Sequence, residues 1–458
     1  MKHVDAVVIG FGKGGKMLAA ALAQAGQQVV MVERSSQMYG GTCINVACIP
    51  TKALVNDAAA SAARGGAFEE KAERYRAAVE RKDDLTAMLR GKNYHKLADH
   101  PNVTVLTGEA SFVGPRRVAV VSDGAREELE AERVFINTGA RPFVPPIPGL
   151  AKCKRAYVSE TMLALKALPR RLAVIGGGYI GMEFASMYAN FGSQVVIIQD
   201  GADFLPREDE EVARAVLERL EARGIRVVRS ATVREVLNGA EAAVLSVEME
   251  GGLERLEADA VLVATGRRPN VEGLHPEVAG VALTPRGAVQ TDEHLRTTAP
   301  GVWALGDVTG GLQFTYLSLD DYRIVRSDVL GDGLRTTQNR GAIPYSVFMD
   351  PPLSRVGLTE KEAREMGLEV KTGSLQVSAI PRAHVVQNPI GMLKAVVDVR
   401  TGHILGAHLF CEDSHEIINQ IKLAMDAGLP YTALRDAVYT HPTMSEALND
   451  LFAAVTDA

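Results

Sequence analysis

Cys43 and Cys48 stand five positions apart in the stretch GGTCINVACIPTK, residues 40–52. A thiolate is the working nucleophile of cysteine chemistry, and two thiols that can meet exchange two electrons by forming and breaking one bond. In a regular helix five residues leave two side chains about 140° apart around the axis, with Cα atoms beyond the ~7 Å reach of a disulfide. A bond between Cys43 and Cys48 therefore needs distorted backbone, which Gly40 and Gly41 before the pair and Pro50 after it allow. Two separate buried thiols remain an alternative. So does a metal site, although no further Cys or His lies close by in sequence to complete a zinc set.

The glycines carry the second chemistry. The chain holds 43 of them in 458 residues, more than the usual share of about 7%. Gly10-x-Gly12-x-x-Gly15 follows an apolar run over residues 4–9 and opens a helix-prone segment, with Glu33 at the end of the next apolar run. That is the context in which bare backbone N–H groups at a helix N-terminus face a pyrophosphate and an acid takes a ribose hydroxyl. The pattern returns further along the chain as Gly176-x-Gly178-x-x-Gly181, between strands expected at 172–175 and 195–198. Two dinucleotide sites in one chain point to a flavin and a nicotinamide exchanging electrons. In the second unit Gln199 stands where the acid is expected and Asp200 follows it. Asp200 as the ribose ligand, with no arginine pair nearby and Arg207 the nearest base, favours NADH over NADPH.

The elements that must position these groups read as α/β. Residues 57–100 are rich in Ala, Glu, Lys and Arg and predict amphipathic helices; residues 103–138 predict short strands with polar turns. Prolines 142, 145, 146 and 148 mark a stiff linker, and beyond about residue 338 the pattern becomes a third, α+β unit. The expected division is residues 1–148 and 271–337 for the first dinucleotide domain, 149–270 for the second, and 338–458 for the third. A net charge of −6 gives no bulk reason to bind nucleic acid or an anionic membrane. No apolar run is long enough to span a bilayer, and the N-terminus does not read as a signal peptide, so a cytoplasmic chain is expected. His403, His408, Cys411 and His415 are soft donors that would suit copper, but a buried cysteine with ordinary histidines explains them as well, and no metal site is assigned. The redox thiols are the better place for a metal ion to receive electrons.

The cysteine stretch resembles the redox-active disulfide of the flavoprotein disulfide reductases, the family of dihydrolipoamide dehydrogenase, glutathione reductase and mercuric reductase. The pattern G-G-T-C-x-x-x-x-C-x-P-[ST]-K is met throughout, with Ala47 where glycine is usual. TTAPGVWALGD, residues 297–307, resembles the second FAD motif, and HPTMSE, residues 441–446, the acid–base dyad. The motifs occur in family order along nearly the whole chain. The resemblance implies FAD at Gly10, Gly12, Gly15, Glu33, Thr42, Thr138, Gly139 and Asp307, and NAD(P)H at Gly176, Gly178, Gly181, Asp200 and Gly266. It makes Cys48 the flavin-side thiol, Cys43 the interchange thiol, His441 with Glu446 the proton carrier, and Lys52 with Glu183 an ion pair beside the flavin. It also implies a C-terminal dimerisation domain and a homodimer whose His441 serves the partner's cysteines.

Within the family, the last cysteine is Cys411, so the C-terminal pair of mercuric reductases is missing, while His441 is present. GDVTGGLQFTY (306–316), PYSVFMDPPLSRVGLTE (344–360) and DSHEIINQIKLAMDAGLPY (413–431) are similar to the reactive-chlorine-resistance flavoprotein reductases. That subgroup implies an NAD(P)H-dependent reductase of hypothiocyanous acid and, for some members, of Cu(II). Dihydrolipoamide dehydrogenase, a glutathione-type disulfide reductase and a mercuric-reductase-like metal reductase are the alternative enzymes. A flavin-bound redox sensor is the non-enzymatic one.

Overall fold

The computed structural model describes residues 1–456. The apolar run at the N-terminus forms the strand Lys2–Ile9, whose inner half is fully buried. Helix α1, Lys13–Gln24, follows, and the chain returns as the strand Val29–Glu33, parallel to the first with Ile9 opposite Val32. Val103–Thr107 extends this sheet on one side. On the other lies the twelve-residue strand Ala125–Ile136, which pairs in parallel with Lys2–Ile9 and Val302–Ala304 and antiparallel with Arg117–Ser122. The late strand Val302–Ala304 brings the chain back to the first sheet, so this layer is built from both ends of a long excursion.

The second sheet repeats the design. Arg171–Ile175, the helix Tyr179–Phe191 and Gln194–Ile198 form the same strand–helix–strand unit, with Ile175 opposite Ile198. Arg226–Val228, Ala260–Val263 and Ala156–Val158 complete five parallel strands. A three-stranded antiparallel sheet, residues 232–258, packs on one face. The proline-rich stretch is not a bare linker. Ala140–Pro142 pairs antiparallel with Arg267–Pro269, and a two-stranded ribbon tolerates Pro142 because its missing N–H falls at an edge. The third unit is a five-stranded antiparallel sheet between residues 345 and 410, covered by the helices Ser414–Asp426 and Ala447–Ala453.

Three helices lie between Val29–Glu33 and the next strand of the first sheet. Helix α2 is the single turn Thr42–Asn45. Helix α3, Cys48–Arg64, packs on helix α4, Phe68–Ala98, and on the Tyr179 helix. The 31-residue α4 carries Glu69 and Glu70 in its first turn and His95 and Lys96 in its last, the order that suits the helix dipole.

The second and third units are joined through a buried cation. Lys394 is 2% exposed, and its ammonium donates to Asp209 at 2.9 Å and to Glu211 and Glu360 at 2.8 Å. Removing one partner from a buried ion cluster strands the others in low dielectric. Lys394→Met is expected to lower stability by about 3 kcal/mol, read as a reduced urea midpoint with little change in slope.

Candidate active site

The cysteine stretch forms two helical pieces rather than one. The single turn α2 ends at Asn45, and α3 begins at Cys48. Between them Val46 has φ −141°, ψ 14° and Ala47 has φ −141°, ψ −104°, neither helical. This is the distortion that a pair five apart requires. Ala47 keeps a negative φ, so alanine serves where the family pattern has glycine. Gly40 and Gly41 do need their freedom, with φ of 93° and 83°. A Cβ on Gly41 would lie 2.6 Å from the Gly12 Cα, so the cysteine turn and the first glycine loop touch backbone to backbone.

Cys43 and Cys48 are free thiols, both half-buried, and they hydrogen-bond to each other. The pair is electrostatically unequal. The bond from Cys43 holds the Cys48 thiol down to about 6; the Thr315 hydroxyl, 3.4 Å from its sulfur, and the Lys52 ammonium pull the same way. Cys48 also opens a 17-residue helix, whose N-terminus favours an anion. Cys43 is pushed far up, first because it is the donor in that bond and then by burial. The surroundings thus favour negative charge on Cys48 over Cys43.

Lys52 and Glu183, 131 residues apart, form the expected ion pair, with 2.8 Å to each carboxylate oxygen. Glu183 is 8% exposed and sits on the Tyr179 helix. It also accepts the Phe348 N–H at 2.9 Å, and the Lys52 ammonium lies 4.7 Å from the centre of the Phe348 ring. Phe348 belongs to the third unit and was not anticipated from the sequence; nor was Thr315, the first residue of the helix Thr315–Leu330. Neither has a pattern of its own to announce it.

The first glycine loop fits a dinucleotide. Gly10 has φ 102°, and a Cβ there would meet the Asn137 carbonyl oxygen at 2.2 Å. Asn137 accepts the Gly15 N–H at 2.9 Å and donates to the Leu305 carbonyl at 2.7 Å, locking the loop to the end of the late strand. Glu33 ends its strand and accepts the Phe11 N–H at 3.0 Å. Thr138 donates to the Asn270 carbonyl at 2.6 Å, and Gly139, at φ 73°, lies beside the Thr42 hydroxyl. Burial pushes the Asp307 carboxyl up, opposed by Arg267. No protein side chain among the described residues donates to this acid, which suits it to polyol hydroxyls.

The second loop is open where a ligand must approach. Gly178 caps the Tyr179 helix, and neither Gly178 nor Gly266 has any atom within 4 Å of the place a Cβ would take. Gly181 packs its helix on the loop, since a Cβ there would lie 2.2 Å from the Gly176 carbonyl. The strand-end position of Glu33 is filled by Gln199, not by Asp200. Asp200 is exposed and accepts the neighbouring Gly201 N–H at 2.9 Å. Gln199 donates its amide hydrogens to the Gly201 and Asp203 carbonyls, at 2.9 and 3.0 Å.

His441 and Glu446 also meet, with Nδ1 2.9 and 3.0 Å from the two carboxylate oxygens. Glu446 is lowered by this bond and by the Thr443 N–H. His441 is 70% exposed, and among the described residues no hydrogen bond links it to either cysteine of its own chain.

The four candidate copper donors do not converge. His408 is fully buried against Glu208 at 3.2 Å, Cys411 is fully buried with its thiol pushed up by burial, His403 is exposed, and His415 packs on Phe348. Among the described residues no three His, Cys, Asp or Glu side chains form a group that could hold a metal ion, and no helix is long and apolar enough to cross a membrane.

Comparison with known proteins bears on these residues. A family model described as pyridine nucleotide-disulphide oxidoreductase matches residues 4–321, and that of the dimerisation domain of the same family matches residues 343–452. The probable pyridine nucleotide-disulfide oxidoreductase RclA of Escherichia coli (strain K12) is 50% identical over 455 residues, 99% of this chain and 100% of that protein. A mercuric reductase of Staphylococcus aureus is 35% identical over 451 residues, 97% and 81% respectively. The Cu(II) complex of the HOCl-induced flavoprotein disulfide reductase RclA from Escherichia coli superposes with a TM-score of 0.93 at 49% identity, covering 100% of both chains.

The unequal thiols generate a test. A hydrogen bond to a charged group contributes about 1.5–3 kcal/mol, and one pKa unit is about 1.4 kcal/mol. Thr315→Val is therefore expected to raise the Cys48 thiol by about one to two units. Thiolate forms above the pKa, so the alkylation rate of the reduced protein should rise with pH about one to two units later in the variant.

Proposed function

The chain belongs to the pyridine nucleotide-disulphide oxidoreductase family, and on that premise we propose that its Cys43–Cys48 pair delivers electrons from NAD(P)H to a reactive oxidant, hypothiocyanous acid foremost and Cu(II) as a second acceptor, in the cytoplasm. The observation that carries this reading is the inequality of the two thiols. Cys48, with the Thr315 hydroxyl 3.4 Å from its sulfur and Lys52 acting on it, is the sulfur whose surroundings favour the thiolate, while Cys43 is raised and needs a base before it attacks. The likeness to RclA supports the oxidant class, since that protein is described as HOCl-induced and as forming a Cu(II) complex.

FAD and NAD(P)H, when bound, supply the electron pair that keeps the cysteines reduced. The first glycine loop with Glu33, Thr42, Thr138, Gly139 and Asp307 would hold the first, and the loop of Gly176, Gly178 and Gly181 with Gly266 the second. Lys52, fixed by Glu183, keeps a positive charge beside Cys48. We assign His441 of a second copy as the base that takes the Cys43 proton, with Glu446 fixing its Nδ1 so that the other ring nitrogen faces the thiol. The exposure of His441 and the dimerisation domain over residues 343–452 support that assignment. Cys43 then attacks the electrophilic sulfur of the oxidant, and Cys48 resolves the adduct. NADH is inferred as the donor from the carboxylates of Asp200 and Asp203 on the loop after Gln199, although Arg229 also reaches this loop at the Ala202 carbonyl.

The test is NADH and NADPH consumption by the flavin-loaded protein with hypothiocyanous acid, Cu(II), lipoamide, glutathione disulfide and Hg(II). Hypothiocyanous acid is expected to sustain turnover, with NADH the better donor by kcat/KM. Cys43→Ser should remain yellow and lose at least about a thousandfold in rate. Full activity in that variant would mean electrons leave the flavin directly. Flavin reduction without turnover of any acceptor would make the protein a sensor. His441→Asn is expected to lose about a hundredfold or more, because a positioned proton carrier contributes that much.

A further inference from the structure

Two ammonium groups flank the cysteine pair, and the structure treats them differently. Lys52 is neutralised by both oxygens of Glu183. Lys16, in the second turn of α1, has no carboxylate partner among the described residues. Its ammonium donates to Asn93 Oδ1 at 2.6 Å and to the Gly40 carbonyl at 3.3 Å. An ammonium has three N–H groups, so one is left free by the protein. Gly40 lies shortly before Cys43, in the turn that opens α2, and Asn93 lies on α4; Lys16 thus spans the gap between three helices on the Cys43 side.

The charge is felt at the thiol. Lys16 lowers Cys43, and Cys43 in return raises Lys16. Burial, reinforced by Lys13 on α1 and Lys96 on α4, brings Lys16 down to about 8. Lys16 thus lies on the Cys43 side of the pair, with Lys13 and Lys96 acting on its charge, and it has a free donor.

We propose that Lys16, with Lys13 beside it, is an anion subsite at Cys43 that binds thiocyanate, the small pseudohalide anion left when hypothiocyanous acid is reduced. The proposal rests on the oxidant reading above. The Cys43 thiolate attacks the sulfur of hypothiocyanous acid; an S–S bond forms, the S–O bond breaks, and the departing hydroxide takes a proton from the His441 imidazolium to become water. The Cys48 thiolate then attacks the Cys43 sulfur. The protein disulfide forms, and thiocyanate leaves with the electron pair. The dithiol is oxidised by two electrons and the oxidant reduced by two. The negative charge that leaves in the second step is the one the spare Lys16 N–H would receive.

The experiment is calorimetric titration of the flavin-loaded protein with potassium thiocyanate at constant ionic strength, with chloride as the control anion. Wild type is expected to bind one thiocyanate per chain. Lys16→Met should bind it at least about tenfold more weakly with flavin content unchanged, and Lys16→Arg, which keeps the charge, should recover part of the affinity. Equal affinity in wild type and Lys16→Met overturns the proposal, as does an absence of saturable binding. Loss of flavin from Lys16→Met also overturns it, because the cation would then serve the cofactor. The oxidant reading fails separately, by lack of wild-type turnover with hypothiocyanous acid, whatever thiocyanate binding shows.

Discussion

Two sulfurs five positions apart can share a proton only if the helix between them is interrupted, and the rest of the site follows from how that interruption is held. The break at Val46 and Ala47 makes Cys48 the first residue of a long helix and leaves Cys43 in a single turn before it. The two sulfurs sit on separate helical pieces, so the surrounding backbone has to hold the pieces together. Gly41 does this by pressing against Gly12, which ties the cysteine turn to the loop of the first dinucleotide unit. Asn137 and the return strand Val302–Ala304 hold that loop in turn. A contact between two thiols therefore depends on Lys2–Ile9 and Val302–Ala304, strands from the two ends of the excursion that builds the first sheet.

Electrostatic asymmetry is imposed on the pair from outside as well as from within. Thr315 and Lys52 both favour a negative charge on Cys48, but Lys52 can do so only because Glu183 fixes it, and Glu183 is fixed by the Phe348 N–H. These residues come from all three units. Any shift of the second or third unit against the first would move the Glu183 carboxylate relative to Lys52, and with it the balance between the two thiols. The buried Lys394 cluster, which joins the second unit to the third, acts on the same geometry from further out.

The parts legible in the sequence were those that are local. Both glycine loops and the cysteine pair lie within short stretches whose spacing implies how the backbone must run, and the equally local His441–Glu446 dyad was found through resemblance. Lys52 and Glu183 lie far apart along the chain and were found only through resemblance, since a lysine and a glutamate on two helices have no signature. Thr315, Phe348 and Asn137 act through single contacts across the fold and left no pattern at all. The four soft donors between residues 403 and 415, to which no metal site was assigned, show the opposite case. Closeness in sequence between residues 403 and 415 suggested a site, but the strand Ile404–Phe410 turns His408 into the core toward Glu208 while His403 stays in solvent. Alternation along a strand separates neighbours that a helix would have gathered.

The repeated unit shows where sequence equivalence and chemical equivalence part. Glu33 and Gln199 hold the same strand-end position relative to their glycine loops, and both are largely buried. Glu33 turns a carboxylate to the Phe11 N–H and remains an acceptor with charge to offer. Gln199 uses its amide hydrogens on the Gly201 and Asp203 carbonyls, so only its neutral oxygen is left to face Gly177, where a Cβ would lie 2.3 Å from it. The two loops therefore share a backbone conformation while their strand ends differ, a carboxylate in one and an amide in the other. An acceptor without charge can take a hydrogen bond from a 2′-hydroxyl but has no donor for a 2′-phosphate. At its strand end the second unit thus presents a side chain whose donors are consumed in ordering its own loop, while Asp200, one position later, accepts its neighbour's N–H.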